Sequence, residues 1–285
     1  MVSTVISMPV DQALLDDAMA ALDVTDVREL RPGGQKTVRL VERAGAELVM
    51  KVIALESGAP DALRRAQREV ELLQQINNNH VVKVASDLVE LDDPLRGVAW
   101  LEEYLDGDDL SDHLGPQWEW DATKGMALEI ADGLGALHVV KVVHRDLSPN
   151  NIRRTADGRY VVMDPGFARH TLRSGLTVGG HPGTPGFLSP EHLQSFSGAP
   201  IPASDVFGVG ILAFVALTGQ QPIPYTGDVS DYLARLWRVE ATDIETLRGD
   251  LSSECIALVR RMLHPQPARR PRNGARLIEA LEAIA

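Results

Sequence analysis

The sequence predicts an α+β chain of two unequal parts: a small strand-rich part with one main helix, then a larger, mainly helical part. Three observations predict it. Over residues 27–55 apolar runs alternate with glycine turns as strand, turn, strand, turn, strand, with Ala44-Gly45-Ala46 at the second turn. Residues 62–76 read as an amphipathic helix with Ala66, Val70 and Leu73 on one face. After Leu105 the pattern becomes helix-rich, with buried helices over 122–137 and 205–217 and surface helices over 251–263 and 272–284. Two further strand-like pieces lie around 81–91 and 97–104, and a short leading helix over 11–22 either packs on the small part or binds a partner. No repeat, low-complexity tract or flexible linker interrupts the chain. This gives an N-terminal extension over 1–26, a small lobe over 27–104 and a large lobe over 105–285, hinged at Glu103-Tyr104-Leu105-Asp106-Gly107. A ligand site is expected in a cleft between the two lobes.

The 285 residues are 44% hydrophobic and 24% charged, which excludes disordered and fibrous classes. Lys and Arg number 28 against 40 Asp and Glu, a net charge of −12. A surface that acidic disfavours phosphate backbones and anionic membranes, so neither nucleic acid nor membrane is an expected partner. The single cysteine, Cys255, rules out an internal disulfide framework and reads as a packing residue. The N-terminus lacks a basic leader, and the longest apolar run, residues 209–217, falls far short of the ~20 needed to span a bilayer. A cytoplasmic protein is expected.

The segment richest in chemistry is 143–164, VHRDLSPNNIRRTADGRYVVMD. Residues 151–155 and 159–164 read as two short strands, joined by the turn signal Ala156-Asp157-Gly158. A hairpin sets the start of its first strand beside the end of its second, so Asn151 and Asp164 become neighbours. Their amide and carboxylate oxygens are hard donors suited to Mg²⁺. Asp146, in the loop leading into the hairpin, is placed to act as a base.

His144-Arg145-Asp146-Leu147-Ser148-Pro149-Asn150-Asn151 resembles the catalytic loop of protein kinases, and Asp164-Pro165-Gly166 their metal-binding DFG segment. Residues 183–191, GTPGFLSPE, resemble the end of the activation segment of serine/threonine kinases. Residues 205–210 resemble the core helix that follows, and Arg270 the arginine that pairs with the activation-segment glutamate, here Glu191. Upstream, Val49-Met50-Lys51 resembles the strand-3 lysine motif and Arg68-Glu69 the helix-C glutamate. The ordered set is similar to a bacterial-style, Hanks-type serine/threonine protein kinase with a degenerate glycine-rich loop. The resemblance implies a two-lobed fold with an antiparallel-sheet small lobe. It implies ATP with Mg²⁺ (or Mn²⁺) as cofactors. Lys51 would hold the α/β-phosphates, Glu69 would orient Lys51, Asn151 and Asp164 would bind the metal, and Asp146 would act as base beside Ser148. Gly33, Gly34, Val38, Val49, Glu103, Leu105 and Arg153 would line the nucleotide. Protein substrates are implied, with self-association for autophosphorylation at Thr171, Ser174 or Thr177. Thr184 resembles the threonine that fixes the acceptor loop, and His144 reads as a packed core histidine.

Several positions depart from the family pattern. Of the glycine-loop pattern only Gly33 and Val38 fall in place, with Gly34 extra and Lys36 in place of the last glycine. Ser148 replaces a lysine, and its loss should slow transfer without abolishing it. Pro165 replaces the DFG phenylalanine, and its fixed φ should hinder the usual flip. Val49 and Arg153 replace an alanine and an apolar residue of the adenine pocket. Glu102 stands where an apolar gatekeeper is usual; a buried charge is costly, so it either has a cationic partner or points away. These departures keep two rivals in view: a pseudokinase acting as a binding module, and a kinase-fold phosphotransferase acting on a small molecule.

Overall fold

The structure is a computed structural model that describes residues 10–30, 36–55, 60–92, 95–165, 184–193 and 201–284. Its contacts divide into two compact units: one built on the chain through Asn77 with Val82–Leu105, the other on Asn78–Val81 and most of the chain from Asp106 onward.

In the first unit, β1 (Thr25–Glu29), β2 (Lys36–Arg43), β3 (Ala46–Ala54), β4 (Val89–Leu91) and β5 (Gly97–Glu103) form an antiparallel sheet of order β1-β2-β3-β5-β4. The β2–β3 turn has Ala44 at φ 52° and Gly45 at φ 82°, the paired positive values of a two-residue hairpin turn that matches strand twist. Alternation along β3 and β5 then makes two different faces. Met50, Val52, Ala54, Ala99 and Leu101 point to one side and pack with Leu14, Leu15, Ala18 and Leu22 of α1 (Gln12–Leu22). Ile53, Val98 and Trp100 point to the other and pack with Ala66 and Val70 of α2 (Pro60–Gln74).

The leading helix is therefore part of the first unit's core. Asp11 caps it by accepting from Leu14 N at 2.8 Å, and Arg96 anchors it from the β4–β5 connection through Asp17 at 2.9 Å. The strand expected over 81–91 is confined to β4. Upstream of it the backbone makes only isolated bridges, at Val81 to Val162 and Val84 to Glu102. Lys83, Ala85 and Ser86 satisfy β5 through irregular bonds, such as Ala85 N to Leu101 O at 2.7 Å.

The second unit is built on α3 (Trp120–Val139), α4 (Pro202–Thr218), α5 (Val229–Arg238), α6 (Ile244–Leu247), α7 (Ser253–Met262) and α8 (Gly274–Glu282), with α3 packed on α4 and α8. From Ala203 to Thr218 every residue of α4 is buried, in keeping with its apolar run over 206–217, and Ser204, Asp205 and Thr218 are buried with it. The C-terminal helices are less superficial than their sequences suggest: α7 buries Cys255, Ile256, Leu258, Val259 and Met262, and α8 buries Leu277 and Leu281. A small sheet of β6 (Gly107–Asp109), β7 (Ile152–Thr155) and β8 (Tyr160–Val162) completes the unit. Gly208 of α4 lets the loop before β7 approach closely, since a Cβ there would lie 3.0 Å from Leu147 Cβ.

Candidate active site

The loop 144–151 is held from below by α4. Asp205, 1% exposed, accepts from His144 N at 2.8 Å, Arg145 N at 2.9 Å and His138 Nε2 at 2.9 Å. Burial pushes this carboxyl up, but hydrogen bonds from His138 and the Arg145 N–H outweigh it and hold Asp205 below the usual carboxylate range. The two backbone bonds also fix Arg145 in the left-handed region, φ 67°, a conformation a non-glycine residue adopts only when its surroundings impose it. Burial pushes the Arg145 guanidinium down, opposed by the charge of Asp205. His144 is fully buried. Its Nε2 lies 2.8 Å from Met163 O, so it carries the proton, and Nδ1 accepts from Asp146 N at 3.3 Å.

This chain of bonds aims Asp146, whose carboxylate is pinned on both sides. Oδ1 accepts from Thr184 N at 3.0 Å and Thr184 Oγ at 3.1 Å, while Oδ2 accepts from Asn151 Nδ2 at 3.1 Å. Asn151 Nδ2 also donates to Asp146 O at 2.7 Å, which leaves the amide oxygen as the Asn151 atom able to meet a cation. Across the β7–β8 hairpin Met163 N donates to Asn151 O at 2.9 Å, and Asp164, half-buried at φ 50°, follows directly. One loop and one hairpin thus bring Asp146, Asn151 and Asp164 together, and Ser148 on the same loop is 1% exposed. Arg153 on β7 donates to its register partner Asp109 on β6 at 2.9 Å. Further along, Arg270, over the Phe207 ring, binds Glu191 through both nitrogens at 2.6 and 2.9 Å.

In the first unit, sheet register collects a second group of residues. Val38 pairs with Lys51, Lys51 with Trp100 and Val49 with Glu102, so all share the α2 face. Lys51 Nζ lies 2.6 Å from Glu102 Oε2, and Trp100 Nε1 donates to Glu102 Oε1 at 3.0 Å. Glu103 closes β5: its N donates to Lys83 O at 2.9 Å and its Oε1 accepts from Lys83 N at 2.9 Å. Leu105, buried, ends the unit.

The family profile described as protein kinase domain matches residues 26–280. The chain belongs to the protein kinase family. Among similar proteins, a serine/threonine-protein kinase of Corynebacterium efficiens, drp72, is 31% identical over 88% of this chain and 49% of its own length. The serine/threonine-protein kinase PknA of Corynebacterium glutamicum is 29% identical over 88% of this chain and 54% of its own. The probable serine/threonine-protein kinase PkwA of Thermomonospora curvata is 33% identical over 74% and 28% respectively. The chain thus spans about half the length of the two corynebacterial kinases it matches.

Against the sequence expectations, the described residues place Asp146, Ser148, Asn151, Asp164 and Arg153 around one loop and hairpin, and Val38, Val49 and Lys51 on one sheet face. Gly33, Gly34, Gly166, Thr171, Ser174 and Thr177 lie outside the described residues, as do the side chains of Lys36 and Glu69. Two elements of the site were not assigned from sequence: the Asp205 carboxylate that straps the loop, and Lys51 as the cationic partner of Glu102. An aspartate at the start of an apolar helix was the available signal for the first. Nothing short of strand register could supply the second.

Proposed function

We propose that this chain is a cytoplasmic serine/threonine protein kinase that transfers the γ-phosphoryl group of ATP, with Mg²⁺, to hydroxyls of protein substrates, itself among them. The observation that carries the reading is the anchored carboxylate of Asp146 beside the oxygen donors Asn151 and Asp164. That donor set suits Mg²⁺, which takes one or two protein carboxylates and fills its octahedron with water and phosphate oxygens. Among the described residues no group of three or more His, Cys, Asp or Glu is placed to hold a metal ion by itself. Among the same residues no helix is long and apolar enough to cross a membrane.

In this mechanism Asp164 and the Asn151 amide oxygen would hold the ion, which would supply positive charge to the phosphates. Thr184 and Asn151 fix the plane of the Asp146 carboxylate, which orients the acceptor hydroxyl and takes its proton as the phosphoryl group leaves ATP. Lys51 supplies a positive charge to the α/β-phosphates, on the sheet face that Val38 and Val49 share. Ser148 brings no charge, so phosphate neutralisation falls to the ion and Lys51. The Arg153–Asp109 pair favours a second reading, a binding module without transfer, because it sets an ion pair where the family has an apolar adenine floor. Incubation with labelled ATP and Mg²⁺ separates the two. The parent should incorporate phosphate into protein, and Lys51→Ala and Asp146→Asn should each lose at least ~100-fold. Absence of incorporation by the parent, with no rise in its Tm from nucleotide, would install the binding module instead.

A further inference from the structure

We infer that Glu102 is a positioning residue for Lys51, holding the lysine from within the sheet so that its orientation does not depend on helix α2 alone. The inference rests on the kinase reading for what Lys51 does, but not for how it is held. β3 and β5 are adjacent antiparallel strands, and Glu102 lies diagonally across from Lys51, one pair beyond Trp100 on the same face. The two charged groups meet at 2.6 Å with side chains only 5% and 4% exposed. The second carboxylate oxygen is taken by the Trp100 indole at 3.0 Å, and Trp100 is itself fully buried between the sheet and α2. The carboxylate is thus fixed at both oxygens, one by a rigid aromatic donor and the other by the lysine.

Two buried charges taken out of water persist only when paired with good geometry. Here the partner is supplied by a neighbouring strand whose ladder is continuous from Leu48–Glu103 to Ala54–Gly97. A hold supplied from α2, as the family resemblance implies for Glu69, depends on how that helix is docked. Glu102 moves with the sheet that carries Lys51. An apolar residue at this position would leave the orientation of the lysine to α2 alone, whereas glutamate builds a second hold into the strand beside it.

The test reads Lys51 directly, independently of phosphoryl transfer. The full chain, Glu102→Gln and Glu69→Gln are treated with acetic anhydride across a pH series, and acetylation of Lys51 is followed by mass spectrometry. A buried ammonium that loses its carboxylate partner becomes a nucleophilic amine at lower pH. Glu102→Gln should shift the Lys51 reactivity profile down by about one pH unit or more, with phosphate transfer falling at least ~10-fold in kcat. Glu69→Gln should shift the profile less. A folded Glu102→Gln with an unmoved Lys51 profile, beside a Glu69→Gln that moves it, would overturn the proposal. If Glu102→Gln fails to fold, Glu102→Asp asks the same question by keeping the charge while withdrawing it from Lys51 by one methylene: a downward shift supports the hold and an unmoved profile overturns it. A shifted profile in a chain whose parent transfers no phosphate would leave Glu102 as the holder of Lys51 and remove the kinase reading alone.

Discussion

Asp205 shows how a single residue sets the geometry of a site it does not join. Its two oxygens satisfy two successive backbone N–H groups of the 144–145 loop and the His138 imidazole. Asparagine there would keep only one acceptor oxygen and turn an N–H₂ toward a donor, stranding a buried N–H at a cost of about 1–3 kcal/mol. The pH dependence follows from the lowered carboxyl. The folded value lies below the unfolded one of about 3.9, so the contribution is complete above that pH and is lost as pH falls through the folded value. Asp205→Asn should therefore be less stable than the parent at pH 7, and the gap should narrow below about pH 4. Urea unfolding of both proteins at pH 7 and pH 3.5 measures this, and an equal gap at the two pH values would refute the ionic account.

At the scale of elements, α1 makes the sharpest claim. It contributes Leu14, Leu15, Ala18 and Leu22 to the same cluster as β3 and β5, and Leu14 lies against the Cα of Gly97, where an added Cβ would be only 3.0 Å from it. Leu14→Ala should cost about 2–4 kcal/mol by leaving a cavity under the sheet. A helix kept for a partner would lose almost nothing in the isolated chain, so chemical denaturation of this variant decides between the two. The same elements show what the sequence could reveal. The stripe Ala66, Val70, Leu73 announced α2 because an exposed helix must segregate its faces, and those three are its buried ones among the described side chains. The Asn151–Asp164 juxtaposition was legible because hairpin geometry is local: a turn signal fixes which residues face each other. The α5 helix was legible but not assigned: Val229, Tyr232, Leu233, Leu236 and Trp237 recur at helical spacing, although only Tyr232 and Leu236 are buried and Trp237 is 60% exposed. The extended run over 81–91 looked like a strand but spends most of its backbone on irregular bonds. The Lys51–Glu102 contact escaped for a deeper reason: it spans two strands far apart in sequence, and a one-residue slip in register would turn Glu102 to the other face.

The whole molecule carries 40 acidic side chains against 28 basic ones, and this excess acts on any macromolecular acceptor before the site does. A net charge of −12 attracts basic segments and repels acidic ones over roughly a Debye length, about 10 Å at 0.1 M salt. Steering of this kind changes association rates by about tenfold or more at low salt and fades as salt rises. Under the kinase reading, a serine peptide flanked by lysine and arginine should therefore show a kcat/KM roughly tenfold above the same peptide flanked by glutamate at low ionic strength. The ratio should collapse toward unity near 0.5 M NaCl if it arises from the diffuse field, because exposed charges are then screened within a few ångströms. A ratio that survives high salt would instead place specific, desolvated carboxylate contacts at the acceptor. Steady-state rates for the two peptides across a salt series distinguish the two cases, since a diffuse field acts on kcat/KM and leaves kcat unchanged.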